Sequence, residues 1–317
     1  MNKKNKIVKL TDKVYRLGPL GDPKILSAYL IKDGDRNAIV DCGPEVVADE
    51  LSELIATFGL ENGVDYLLLT HIHIDHAGCA GRFAREHPQC TVYVPRRGYK
   101  HMIDPCVLNK SAREVVGDQL MDYWGECSPL PRERTRSVEE NEIVSLGTTT
   151  EIRYIPARGH APHHNVLYDD SSRVLFAADS LGILDSESGS HTPTTPPPSF
   201  DLKQAMADID MVSNLGSRLV CLSHFGEVSE HIANFFEESK MVYGRWGRVV
   251  RDYLKSTNKK GYDHSDREKI FSELERIDSR YSKLSPALRN QVTRIDISGL
   301  ASYYLSNLDD ANPPALA

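Results

Sequence analysis

The period of apolar and polar positions changes along the chain, and each change marks an element. Residues 25–31 and 37–41 are strand-like runs on either side of Lys32-Asp33-Gly34-Asp35, a turn signal, and together they predict a hairpin. Past Gly43 and Pro44, the side chains of Val47, Leu51, Leu54, Ile55 and Phe58 share one helical face, and that helix should end at Gly59. Residues 65–70 read as a buried strand with His71 just beyond its carboxyl end. Residues 78–87 read as a short helix and 91–94 as the next strand. Strand, helix and strand in this order predict sheets covered by helices.

Residues 95–146 carry a weaker pattern and a charged run over 131–142, so they read as a long insertion that shapes a pocket, with one helix near 111–124. Strands resume at 151–155, 165–168 and 173–178. Residues 186–199 hold Pro193, Pro196, Pro197 and Pro198, too many prolines for either regular element. They read as a loop and a candidate lid, whose part from Thr192 to Ser199 should overhang the functional edge. A helix over 201–214 leads to a strand at 218–222 and then to His224. From 228 the pattern is helical only, with Ile232, Phe235, Phe236, Val242, Trp246, Val249 and Leu254 recurring at three and four. Lys259-Lys260-Gly261 breaks it, and further helices should run to about Leu308. This divides the chain into a main domain over 1–230, carrying the 95–146 insertion, and a helical extension over 231–317. No repeat has the spacing of a solenoid.

At 317 residues and 40% hydrophobic, the chain can build one large core or a core with an appendage. Its formal charge of −7 argues against a broad surface for phosphate backbones, so nucleic acid is not an expected partner. No apolar stretch has the length to cross a bilayer, and Met1-Asn2-Lys3-Lys4-Asn5-Lys6 has no apolar run behind it, so a cytoplasmic protein with no membrane partner is expected. The six cysteines, at 42, 79, 90, 106, 127 and 221, form no Cys-x-x-Cys pair and read as reduced thiols. Cys79 and Cys221 lie near histidines of interest, but free cysteine mostly serves as a small buried side chain.

The chemistry concentrates at Thr70-His71-Ile72-His73-Ile74-Asp75-His76-Ala77-Gly78. Three imidazoles and a carboxylate packed at a strand end would repel or stay unpaired without a metal, and these are the donors that zinc selects. Three more candidates follow predicted strand ends: His160 in Arg158-Gly159-His160-Ala161-Pro162-His163-His164, then Asp179, then His224.

This set, in this order, resembles the metallo-β-lactamase fold superfamily over roughly residues 10–230. The resemblance implies an α/β fold, an αββα sandwich with metals at one edge. It implies that His71, His73 and His160 bind one metal, that Asp75, His76 and His224 bind the other, and that Asp179 bridges them. Two Zn²⁺ are the expected cofactors, with iron or manganese as substitutes. His164 resembles an outer support that orients ligands. Asp41 resembles an acid that hydrogen-bonds the histidine loop, although a plain turn aspartate fits the sequence nearly as well. His163 falls where the family pattern often has glycine, and His87, His101, His191, His231 and His264 read as surface or packing residues.

The implied activity is hydrolysis of small acyl substrates (lactone, ester or thioester) in the lactonase and glyoxalase II-like branch. A hydroxide shared by the metals would attack, and Asp75 would be both ligand and proton carrier. Asp179 argues against a dedicated β-lactamase, because those members lack the bridging aspartate. His73 stands where flavin-dependent di-iron members carry glutamate. Lactonases often have a tyrosine where this chain has Gly182, leaving Tyr99, Tyr303 and Tyr304 as substitutes to consider. A phosphodiesterase or ribonuclease, a weak β-lactamase and a single-iron persulfide dioxygenase remain as alternatives, the last distinguished by its metal content. The expected partner is a small-molecule substrate, and homodimerisation is left open.

Overall fold

The predicted alternation of apolar side chains resolves into two sheets. In the computed structural model the described residues are 6–22, 24–61, 63–185, 187–224, 226–257 and 261–307. Lys259, Lys260 and Leu308 of the expected helical tail lie outside them, as does Ser186 of the proline-rich segment. The chain separates into two compact units: residues 1–156, 163–178 and 217–227 in the first, and 157–162, 179–216 and 228–317 in the second.

In the first unit, β1 (Ile7–Lys9), β2 (Val14–Leu20), β3 (Leu26–Asp33), β4 (Arg36–Val40), β5 (Tyr66–Leu68), β6 (Thr91–Pro95) and β7 (Thr135–Val138) form a seven-stranded sheet in chain order. Strands β1 to β4 pair antiparallel and β4 to β7 parallel. The second sheet contains β8 (Ile143–Ser145), β9 (Glu151–Pro156), β10 (Asn165–Asp169), β11 (Val174–Ala178), β14 (Leu219–Leu222) and β15 (Gly226–Val228), ordered β15-β14-β11-β10-β9-β8. The parallel strands read as nearly continuous apolar runs, Ala38-Ile39-Val40 and Leu67-Leu68-Leu69, because both of their faces are buried.

Between the sheets, Tyr29, Ile31, Val40 and Leu68 pack with Ile152, Tyr154, Leu167, Phe176 and Cys221. Each large apolar side chain taken from water there contributes about 1.5–3 kcal/mol. The Tyr29 ring meets Phe176 edge-on at 5.6 Å, and its hydroxyl lies 2.5 Å from the Leu222 carbonyl, which ties β3 to β14. Parallel pairing brings the carboxyl ends of β4 and β5 to one edge, and Asp41 and the histidine motif follow there.

Helices α1 (Ala48–Ala56) and α3 (Ala80–Glu86) sit where the periodicity places them, and a one-turn helix, α2 (Ile74–Ala77), lies within the histidine motif, where none was expected. The 95–146 stretch differs from its reading. It contains three helices, α4 (Arg96–Ile103), α5 (Cys106–Val116) and α6 (Asp118–Trp124), and it supplies β7 to one sheet and β8 to the other. Gly117, at φ +83°, divides the single helix expected near 111–124.

Within the first unit His87 is buried, its ring 4.3 Å from that of Phe83, and neither ring nitrogen meets a hydrogen-bond partner among the described residues. Desolvation holds its pKa below the usual histidine value, with Glu86 opposing weakly. The folded state therefore resists a proton that the unfolded state accepts. This contribution to stability is intact above the unfolded value, near 6.5, and is lost as pH falls through the folded one. Urea denaturation of the metal-free protein at pH 7 and pH 5 should show a smaller loss on acidification for His87→Leu than for the native chain. Equal losses would place the acid sensitivity elsewhere.

The second unit carries a hairpin, β12 (Ile183–Asp185) with β13 (Ser190–Thr192), and the helices α7 (Leu202–Ser213), α8 (Ile232–Thr257), α9 (His264–Ile277), α10 (Pro286–Gln291) and α11 (Ile297–Ser306). A single π-helical turn, Val292–Asp296, precedes α11. Phe235, Phe236, Val242, Tyr243, Trp246, Val250 and Leu254 bury one stripe of α8, and Trp246 donates to the Tyr281 hydroxyl at 3.0 Å. Asp263 and Asp266 cap the start of α9 reciprocally. The segment expected to be a loop over 186–199 contains strand β13. Its Thr192, Thr194 and Thr195 are buried, so this part is packed structure rather than an exposed lid. The prolines begin only where β13 ends, in keeping with their missing N–H donors. No helix among the described residues is long and apolar enough to cross a membrane.

Candidate metal centre

In the first unit, Asp41 organises the histidine motif. It follows β4 at φ +52°, is 1% exposed, and accepts from the Thr70 amide at 2.9 Å, the Thr70 hydroxyl at 2.8 Å and Nδ1 of His76 at 3.0 Å. A carboxylate only accepts, so His76 carries its proton on Nδ1 and turns its Nε2 lone pair outward. Thr70 spends its proton on Asp41, so Nδ1 of His71, 3.0 Å from the Thr70 oxygen, must donate to it. The Nε2 of His71 then presents a lone pair toward Nδ1 of His73 at 3.1 Å.

The one-turn α2 places Asp75 and His76 side by side, and His224 follows β14. Nδ1 of His224 donates to the Ile25 carbonyl at 2.7 Å, which leaves Nε2 as an acceptor 3.6 Å from Oδ2 of Asp75. Nε2 of His76 lies 3.8 Å from the same oxygen. The donor atoms of Asp75, His76 and His224 thus lie within 4.8 Å of one another. Asp75 is the most open of the three, 19% exposed at its side chain against 0% for His76 and 5% for His224. His164 is buried with its ring 4.9 Å from that of His71, and His163 stacks parallel to His71 at 6.0 Å.

The second unit repeats the arrangement with different residues. Nδ1 of His160 donates to the Thr194 carbonyl at 3.1 Å, and its Nε2 lies 3.3 Å from Oδ2 of Asp179. The His160 loop is anchored on α7, where the Gly159 amide donates to Asp208 at 2.7 Å; burial pushes that carboxyl's pKa up. The carbonyl of Asp179 accepts from the Thr194 hydroxyl at 2.5 Å and lies 3.2 Å from the Tyr243 hydroxyl. Tyr243 was not among the residues picked from sequence.

These donors fit a divalent cation. In His76, His160 and His224 an oxygen acceptor fixes the proton on Nδ1 while Nε2 faces a carboxylate oxygen. A divalent cation between each Nε2 and its facing carboxylate oxygen could be held by both. Neutral imidazole with carboxylate, oriented by outer oxygen atoms, is a zinc donor set.

The sequence profile described as the metallo-beta-lactamase superfamily matches residues 21–224. The chain belongs to that superfamily. It is a superfamily of metal-dependent hydrolases with the mixed α/β fold described above, here followed by C-terminal helices. The metallo-beta-lactamase fold-containing protein ST1585 of Sulfurisphaera tokodaii is 31% identical over 252 residues, 75% of this chain and 90% of its own. Its crystal structure aligns with a TM-score of 0.61 at 28% identity, over 73% of this chain and 86% of that one. The metallo-beta-lactamase family protein TTHA1429 of Thermus thermophilus aligns over 96% of this chain and 98% of its own, with a TM-score of 0.69 at 18% identity. The shared fold therefore includes the helical tail. The hydroxyacylglutathione hydrolase GloC of Haemophilus influenzae is 30% identical over 156 residues, 48% of this chain and 65% of its own.

Within the superfamily fold, Gly182 takes φ +81°, and a Cβ there would lie 2.3 Å from the Thr192 carbonyl oxygen. The β12–β13 hairpin thus leaves no room for a side chain at Gly182. His191, expected to be a packing residue, is buried and stacks on Phe235 at 5.2 Å; His101, His231 and His264 are exposed. Cys79 and Cys221 are buried free thiols, and desolvation pushes the Cys221 thiol well above its ordinary value.

Proposed function

We propose that this superfamily member is a dinuclear zinc hydrolase of small acyl substrates such as lactones, esters and thioesters. His71, His73 and His160 would hold one zinc, Asp75, His76 and His224 the other, and Asp179 would be shared. The observation that carries this reading is the pair of preset imidazoles about Asp75: Asp41 fixes His76, the Ile25 carbonyl fixes His224, and both Nε2 atoms face one carboxylate. When bound, zinc supplies Lewis acidity and a water acidified to a pKa near 7.

The chain's own groups do the rest. Asp41 and Thr70 hold the Nδ1 protons of His76 and His71 and so aim their Nε2 atoms. Asp75, the open carboxylate, can hold a proton on Oδ2 and release it to the leaving oxygen or sulfur. No serine nucleophile is needed, and the sequence has no Gly-x-Ser-x-Gly elbow. The formal charge of −7 disfavours polyanionic substrates, and the likeness to a hydrolase named for an acyl-glutathione supports acyl transfer to water. With Gly182 bare, rates on lactones should be modest.

Zinc-replete protein given a homoserine lactone, an aryl ester, a thioester and bis(nitrophenyl) phosphate should show its highest kcat/KM on one of the three acyl substrates. Fastest turnover of the phosphodiester would replace this reading with a phosphodiesterase.

A further inference from the structure

We propose that Thr194 is a positioning residue for the ligands His160 and Asp179, and that the C-terminal helices act on the metal centre by clamping it. The inference rests on the zinc hydrolase reading, in which those two side chains are ligands. Thr194 touches both of them. Its carbonyl takes the Nδ1 proton of His160 at 3.1 Å and so fixes the Nε2 tautomer. Its hydroxyl donates to the Asp179 carbonyl at 2.5 Å and so fixes the backbone from which that carboxylate extends.

Two helical elements hold Thr194 and its neighbour Thr195 in turn. Tyr243 of α8 accepts from the Thr194 amide at 3.2 Å, and its hydroxyl lies 3.0 Å from the Thr194 hydroxyl. The Thr194 amide thus donates to the Tyr243 oxygen, and both hydroxyls converge on the Asp179 carbonyl, that of Thr194 at 2.5 Å and that of Tyr243 at 3.2 Å. The adjoining Thr195 is gripped on two sides by Asp296, its amide donating to the carboxylate and its hydroxyl to the carbonyl, both at 2.7 Å. Asp296 closes the π-helical turn, a form that inserts a residue into a helix and clusters at functional sites. Gly299, three residues on, makes the grip possible: a Cβ there would lie 1.6 Å from the Thr195 carbonyl oxygen.

Thr194, Thr195, Tyr243 and Asp296 are all buried. A dipeptide that merely filled space would not need its polar groups to end on one ligand's ring and another's backbone. Here α8, the π-turn and α11 converge on Thr194 and its neighbour Thr195, and Thr194 in turn holds His160 and the backbone of Asp179.

The test is zinc affinity of the full chain by chelator competition, with the visible spectrum of the cobalt-loaded protein as a report of ligand geometry. Thr194→Val should weaken zinc binding by about 10–100-fold, the range for loss of an outer partner of a metal ligand. It should also shift the cobalt bands, and Thr194→Ser, which keeps the hydroxyl, should restore both. Tyr243→Phe should weaken binding by roughly tenfold. Native affinity and an unchanged cobalt spectrum in Thr194→Val would overturn the positioning role while leaving the hydrolase reading intact. Should Thr194→Val fail to fold, native affinity in Tyr243→Phe would overturn it equally. A native chain that takes up neither zinc nor cobalt would overturn the hydrolase reading and this role with it.

Discussion

Asp179→Asn is expected to lower kcat/KM by roughly a thousandfold, equivalent to about 4 kcal/mol of transition-state stabilisation, and to reduce the bound zinc toward one ion per chain. The amide matches the carboxylate in size but lacks the negative charge that lets one side chain serve two dications. The metal-free form should behave differently. Oδ2 of Asp179 lies 3.3 Å from Nε2 of His160, whose other nitrogen is already committed to the Thr194 carbonyl. An amide N–H in that place donates to Nε2 and satisfies both groups, so the apo variant should melt no lower than the apo native chain. Loss of zinc with an undiminished apo melting temperature separates a ligand from a fold residue. An apo variant that melts well below the native chain would instead make Asp179 a structural residue.

Asp41→Ala is the second large effect, and it should reach the apo fold as well. Three donors end on this carboxylate: the Thr70 amide, the Thr70 hydroxyl and Nδ1 of His76. Each buried donor left unsatisfied costs about 1–3 kcal/mol, so the loss should be at least about 3 kcal/mol in urea denaturation of the metal-free protein. Alanine is also a poor occupant of the left-handed backbone at φ +52°, where a short polar side chain is better tolerated. Asp41→Asn, which keeps an acceptor and that tolerance, should lie between the two. Zinc affinity should fall alongside, since Asp41 sets the tautomer of His76 directly and of His71 through Thr70. A change under about 0.5 kcal/mol, the range of ordinary surface substitutions, would reduce Asp41 to a plain turn residue.

What sequence reveals here depends on how local each signal is. The histidine motif was legible because its donors lie within six residues of a strand whose apolar run is unmistakable, Leu67 to Leu69. The hairpin of β3 and β4 and the helix α1 were legible for the same reason, their periods being uninterrupted. Tyr243, Asp296 and Thr194 left no such trace. They act through backbone carbonyls and amides far along the chain, and a hydrogen bond to a carbonyl asks nothing of residue type at its other end. The sequence of β13, Ser190-His191-Thr192, has no apolar alternation, and the prolines behind it masked a strand that stops just before them. Strands β7 and β8 were hidden by the charged run, because as edge strands they expose Arg136, Ser137, Ile143 and Ser145. Helices α4 and α5 bury few side chains and so lack a sharp apolar stripe. Gly182 read as a missing tyrosine, and only the hairpin's close approach explains why no side chain stands there.

The two-metal assignment is tested most directly by elemental analysis of the purified full chain, before and after equilibration with zinc. The account predicts close to two divalent ions per chain, mainly zinc, with both lost from a variant carrying His71→Ala and His76→Ala. One firmly held iron with a second position that zinc cannot fill would contradict it and favour oxidative chemistry at a single metal.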